Sequence, residues 1–123
     1  MKTSLDIKIS TPRMLHDFAI TENYVIIPDM PVELNPIRVA KDGAFIAGYN
    51  PQGKCRYGFM KKYSKDKDQI KWFDLAPHYA FHFGNAWEER NDKGEEIIKV
   101  YNCPSDMVDV EFKEEHPFFN HKK

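Results

Sequence analysis

An excess of charge of either sign is what this chain most plainly lacks: 18 Lys and Arg against 19 Asp and Glu leave a net charge of −1 over 123 residues. Such a balance gives no basic field for a nucleic-acid backbone or an anionic membrane surface, so neither partner is expected. Long apolar runs are missing too. Nothing approaches the roughly 18 consecutive apolar residues of a spanning helix, so no transmembrane segment is expected. The first residues, Met1-Lys2-Thr3-Ser4-Leu5-Asp6, have neither the apolar centre of a secretory signal nor the Arg and Ser bias of a transit peptide. Cysteine is scarce, and Cys55 and Cys103 lie far apart with no Cys-x-x-Cys spacing. That pattern predicts two unpaired thiols packed as small hydrophobes in a reducing, intracellular setting.

What is present is β pattern and aromatic residues. With 41% hydrophobic and 14% aromatic residues, the chain can build one small core. Leu5-Asp6-Ile7-Lys8-Ile9 alternates with period two and predicts a half-buried strand. Residues 15–20 predict a second, Thr21-Glu22-Asn23 a tight turn, and Tyr24-Val25-Ile26-Ile27 the returning strand, ended by Pro28-Asp29-Met30-Pro31. Ile37-Arg38-Val39-Ala40 is the one stretch read as a short helical turn. Residues 56–60 and 70–73 predict strands around a charged turn at 64–68. Residues 79–89 predict a long strand that turns at Asn91-Asp92-Lys93-Gly94 and returns over 95–101. The expected architecture is all-β, with antiparallel hairpins over residues 1–110 and a poorly ordered tail at 111–123. Pattern alone does not choose among sandwich, barrel and propeller.

Five histidines carry the chemistry worth weighing: His16, His78, His82, His116 and His121. His16 and His82 are too far apart for a local metal motif, and a histidine near a strand end is more often a hydrogen-bonded structural residue. The context around His82 differs. Strand alternation would put Ala80, His82 and Gly84 on one face and Phe81 and Phe83 on the other, leaving room beside the imidazole. His78 would share that nominal face but stand about 13 Å away along the strand. Asp17, Glu22, Glu88 and Glu89 are candidate carboxylate partners for a metal-bound imidazole.

Two segments together carry a family resemblance. Met14-Leu15-His16-Asp17-Phe18-Ala19-Ile20-Thr21-Glu22-Asn23-Tyr24 and Phe81-His82-Phe83-Gly84-Asn85-Ala86-Trp87-Glu88-Glu89 resemble, in order and spacing, the second and third metal-histidine segments of the carotenoid cleavage oxygenases, most closely the plant-type dioxygenases. Arg56-Tyr57-Gly58-Phe59-Met60-Lys61-Lys62-Tyr63 resembles a further family stretch, with Met60-Lys61-Lys62 in place of the usual x-Pro-Arg. The resemblance implies about two blades of a seven-bladed β-propeller, with His16 and His82 as two of four histidine ligands to Fe(2+). It implies oxidative cleavage of a carotenoid or apocarotenoid double bond with O2, in plastid or cytosol. The other two iron histidines have no counterpart here, so the alternative expectation is a truncated, inactive relic or binding fragment. A third reading is an unrelated β-domain that engages a partner through Tyr24, Trp72 and Trp87.

Overall fold

β-branched and aromatic side chains sit well on a pleated surface, and Tyr24-Val25-Ile26-Ile27 sets four in a row inside the main sheet. The computed structural model describes residues 4–9, 11–43, 45–66 and 69–105. The expected tail at 111–123, with His116 and His121, lies outside them. Its elements are β1 (Ala19–Ile20), β2 (Tyr24–Asp29), β3 (Val32–Leu34), α1 (Pro36–Asp42), β4 (Ala47–Tyr49), β5 (Cys55–Lys61), β6 (Lys71–Leu75), β7 (Phe83–Arg90) and β8 (Glu96–Asn102). One sheet runs β1-β2-β5-β6, while β3-β4 and β7-β8 form separate pairs. Every strand pairing is antiparallel. The all-β reading holds.

Local chemistry explains the turns. Asn35 caps α1 by accepting from the Ile37 N–H at 3.0 Å, Pro36 fits the first helical position, and Gly43 ends the helix at φ +62°. The helix is therefore longer than the four-residue turn expected. Between β7 and β8, Asn91 Oδ1 accepts from the Lys93 and Glu95 N–H groups at 3.0 and 2.9 Å. Gly94 supplies the positive φ of +76° that closes this hairpin.

Four expectations need correction. Residues 5–9 keep the alternation in burial but form no strand, because no described strand offers them a ladder. Of residues 15–20 only the last two are strand. The preceding backbone is held elsewhere, with Met14 N–H donating to Val32 C=O at 2.8 Å and Asp17 taking the Phe18 N–H. Pro28 does not end β2, which continues to Asp29 with Pro28 opposite Tyr57. β1 covers only Val25 and Ile26, so that flank of β2 is open at Pro28 and a missing N–H is tolerated there. Lastly, β7 begins at Phe83, so His82 precedes the strand, and the pairing slips between Phe83 and Asn85 around Gly84.

The core gathers Ile26, Met30, Val32, Ala47, Cys55, Tyr57, Tyr79 and Ala80, all buried. Beside it lies a charge cluster that the chain pattern did not announce. Asp29, 1% exposed, accepts from Arg56 Nε at 2.8 Å and pairs with Arg13 Nε at 3.3 Å. Arg13 also holds Glu33 at 2.9 Å. The Arg56 guanidinium lies 4.1 Å over the Trp72 ring, adding a cation–π contact.

Candidate metal centre

His16 sits in the irregular run before β1 and His82 in the irregular run before β7. Folding brings their rings to 5.4 Å between centroids, nearly perpendicular at 85°. A metal about 2.1 Å from one nitrogen of each ring stands about 3.2 Å from each ring centre, so two rings on one ion lie within about 6.5 Å. The observed spacing fits that limit. Both histidines are exposed, which leaves their ring nitrogens accessible. Among the described residues no group of three His, Cys, Asp or Glu is placed to hold a metal ion. The pair fits as part of a ligand set.

The surroundings of His82 are not those expected from alternation. Ala80 is fully buried in the core, so it does not open space beside the imidazole. Phe81 does not fill the interior either. It is 42% exposed and meets His16 edge-on at 5.5 Å and Tyr79 at 4.8 Å. The cause is that residues 79–82 are outside β7, so the two-residue period does not govern their directions.

Of the four candidate carboxylates, three have clear assignments. Asp17 accepts from the Phe83 N–H at 2.9 Å and the Phe18 N–H at 2.8 Å. These donors, Phe83 first, hold its carboxyl below the ordinary value, with smaller help from His82 and His16. Glu88 accepts from the Asn23 side chain at 2.8 Å, the Asn23 N–H at 2.7 Å and the Thr21 hydroxyl. The Asn23 side chain and then the Thr21 hydroxyl lower its pKa. Glu89 takes Lys99 at 2.6 Å and the Trp87 indole N–H at 3.2 Å. Glu22 is exposed.

His78 belongs to a different arrangement, one that sequence spacing did not reveal. Its Nδ1 is 2.8 Å from Ala76 C=O, which can only accept, so Nδ1 carries the proton. Tyr57 therefore donates to Nε2 at 2.7 Å, and Asn102 Nδ2 donates to the Tyr57 oxygen at 2.6 Å. Burial pushes the Tyr57 phenol and the neighbouring Cys55 thiol up. Cys55 matches the expectation of a packed thiol, whereas Cys103 is free but exposed.

An open groove of about 1020 Å³ runs between the main sheet and the β7-β8 hairpin, with Phe59, Phe73, Ile98 and Val100 on its walls. Neither His16 nor His82 lines it. The three aromatics proposed for partner binding are engaged internally: Tyr24 donates to Glu96 at 3.1 Å, Trp72 lies under Arg56, and Trp87 stacks on Tyr101 at 5.3 Å.

Comparison with known proteins agrees with the family resemblance. The family described as retinal pigment epithelial membrane protein matches residues 1–123. A carotenoid 9,10(9',10')-cleavage dioxygenase 1 of Arabidopsis thaliana is 39% identical over 114 residues, covering 93% of this chain and 21% of that protein. Its namesake in Pisum sativum is 36% identical over 122 residues, covering 99% of this chain and 23% of that protein. The chloroplastic 9-cis-epoxycarotenoid dioxygenase NCED6 of Arabidopsis thaliana is 34% identical over 110 residues, covering 89% of this chain and 19% of that protein. The chain thus spans about a fifth of the length of these curated relatives. A family match along residues 1–123, with relatives 36–39% identical over nearly the whole chain, establishes that the chain belongs to the carotenoid oxygenase family.

Proposed function

We propose that these 123 residues supply the central histidine pair of an iron(II)-dependent dioxygenase that cleaves a carotenoid or apocarotenoid double bond. The observation that carries this reading is the 5.4 Å approach of the His16 and His82 rings from two distant segments. In this reading the β1-β2-β5-β6 sheet is one propeller blade and β7-β8 begins the next. His16 and His82 each offer one imidazole nitrogen, leaving further coordination positions open. Iron(II) bound by these imidazoles would supply the activation of O2 for a cleavage that leaves one oxygen atom on each of two carbonyl products.

The chain's own share is placement. The Phe81 ring packs edge-on with the His16 ring, and the hydrogen bonds of Asp17 and Glu88 join the two segments. These residues contribute two imidazoles, so the chain by itself is expected to hold iron weakly and to cleave nothing. A second reading is a relic of the family that binds without cleaving; among the described residues the pair has no third metal-binding side chain beside it.

A chimera separates the two. This chain would replace the matching segment of the Arabidopsis 9,10(9',10')-cleavage dioxygenase, followed by an oxygen-dependent assay with an apocarotenoid. Cleavage that is abolished by His16→Ala or His82→Ala supports the enzyme reading. A soluble, folded chimera that binds iron without cleaving supports the relic.

A further inference from the structure

We infer that Asp17 and Glu88 are positioning residues that bracket the seam between the two histidine segments and set His16 opposite His82. This rests on the reading of those histidines as a ligand pair. β1 and β7 belong to different sheets, so no backbone ladder fixes one against the other. Side chains do so instead, and reciprocally. Asp17 reaches out of the first segment to the Phe83 N–H, while Glu88 reaches back from β7 to Thr21 and to Asn23 at both its amides.

The two contacts climb in the same chain direction, from Asp17 to Asn23 on one side and from Phe83 to Glu88 on the other. The segments therefore run parallel along the seam, pinned near both ends. Asp17 follows His16 by one residue, and Phe83 follows His82 by one. The lower pin thus joins the two positions immediately after the histidines, so any slide along the seam separates the rings. The upper pin resists pivoting about the lower one. Hydrogen bonds to a carboxylate are the stronger kind, which suits a seam without ladder bonds. Their loss is expected to weaken divalent metal binding by about 10- to 100-fold, the usual effect of removing support behind a ligand.

The test is the cross-relaxation between His16 and His82 ring protons in the full 123-residue chain, with Ile26 amide protection as the check on folding. The wild type should show the cross-peak, and folded Asp17→Ala and Glu88→Ala should weaken or lose it. A wild type without the cross-peak, or folded variants that keep it at full strength, overturns the inference. Should Asp17→Ala lose Ile26 protection, Asp17→Asn decides, because its side-chain oxygen can still accept from Phe83. Phe83 amide protection and the ring contact must then persist together or vanish together, and either one without the other overturns the bracket. Co(II) addition to the wild type tests the ligand reading separately. If it leaves both histidine signals sharp, that reading fails while the cross-peak still reports on the bracket.

Discussion

The main sheet and the β7-β8 hairpin are built from similar β-forming residues and are held by different forces. In the sheet, Ile26 is fully buried, Cys55 and Tyr57 are nearly so, and the charge of Asp29 is buried with them. In the hairpin, Ile97, Ile98 and Val100 are only half-buried and face an open groove. Its attachment relies heavily on polar contacts: Asp17 to Phe83, Glu88 to Thr21 and Asn23, Glu96 to Tyr24, and Asn102 to Tyr57. Burial gives the sheet its stability, and directional bonds give the hairpin its position. The histidine pair spans that boundary, with one ring on each side.

Substitutions should expose this difference. The largest loss is expected from Asp29→Ala, which strands Arg13 and Arg56 beside the core and should cost about 3–5 kcal/mol. Equilibrium urea unfolding would read it as a lower midpoint or as a chain that never folds. Next comes Ile26→Ala, at about 2–5 kcal/mol for a fully buried side chain. Ile98→Ala on the groove wall should cost clearly less in the same measurement. Equal losses at Ile26 and Ile98 would erase the distinction drawn between the two regions.

Acid should act on the hairpin through Glu88. Its carboxyl lies below the ordinary value of 4.5, so its contribution is complete above that value and is lost as pH falls through the lower folded value. Glu88→Gln should therefore flatten the acid dependence of Asn23 amide protection below pH 4.5, while Ile26 amide protection changes little. Undiminished acid dependence in the variant would assign it to other groups. The smallest effect is expected from Glu89→Ala, since the Lys99–Glu89 pair is solvent-exposed on both sides and such pairs add little.

Much of the fold was legible where a local signal sufficed. The helical turn at residues 37–40 was legible although its ends at Asn35 and Gly43 were not, Asn91 to Gly94 marks a hairpin, and the β-branched run after Tyr24 marks the main strand. What escaped depended on distant partners. The charged cluster of Arg13, Asp29 and Arg56 joins β2, β5 and the run before β1, and nothing in the spacing signals it. The Tyr57–His78 bond likewise forms only when β5 meets the run before β7. The period around His82 misled for a physical reason: apolar alternation persists through residues 79–82, but the ladder begins at Phe83. The histidine segments were legible as a resemblance, whereas the carboxylate bracket between them required the structure.

The account's central claim is that His16 and His82 act as one ligand pair. An anaerobic Fe(II) titration of the purified chain beside His16→Ala and His82→Ala tests it most directly. The predicted result is weak one-to-one binding that either substitution removes, with no apocarotenoid cleavage when O2 is admitted. Binding that survives unchanged in both variants would contradict the claim.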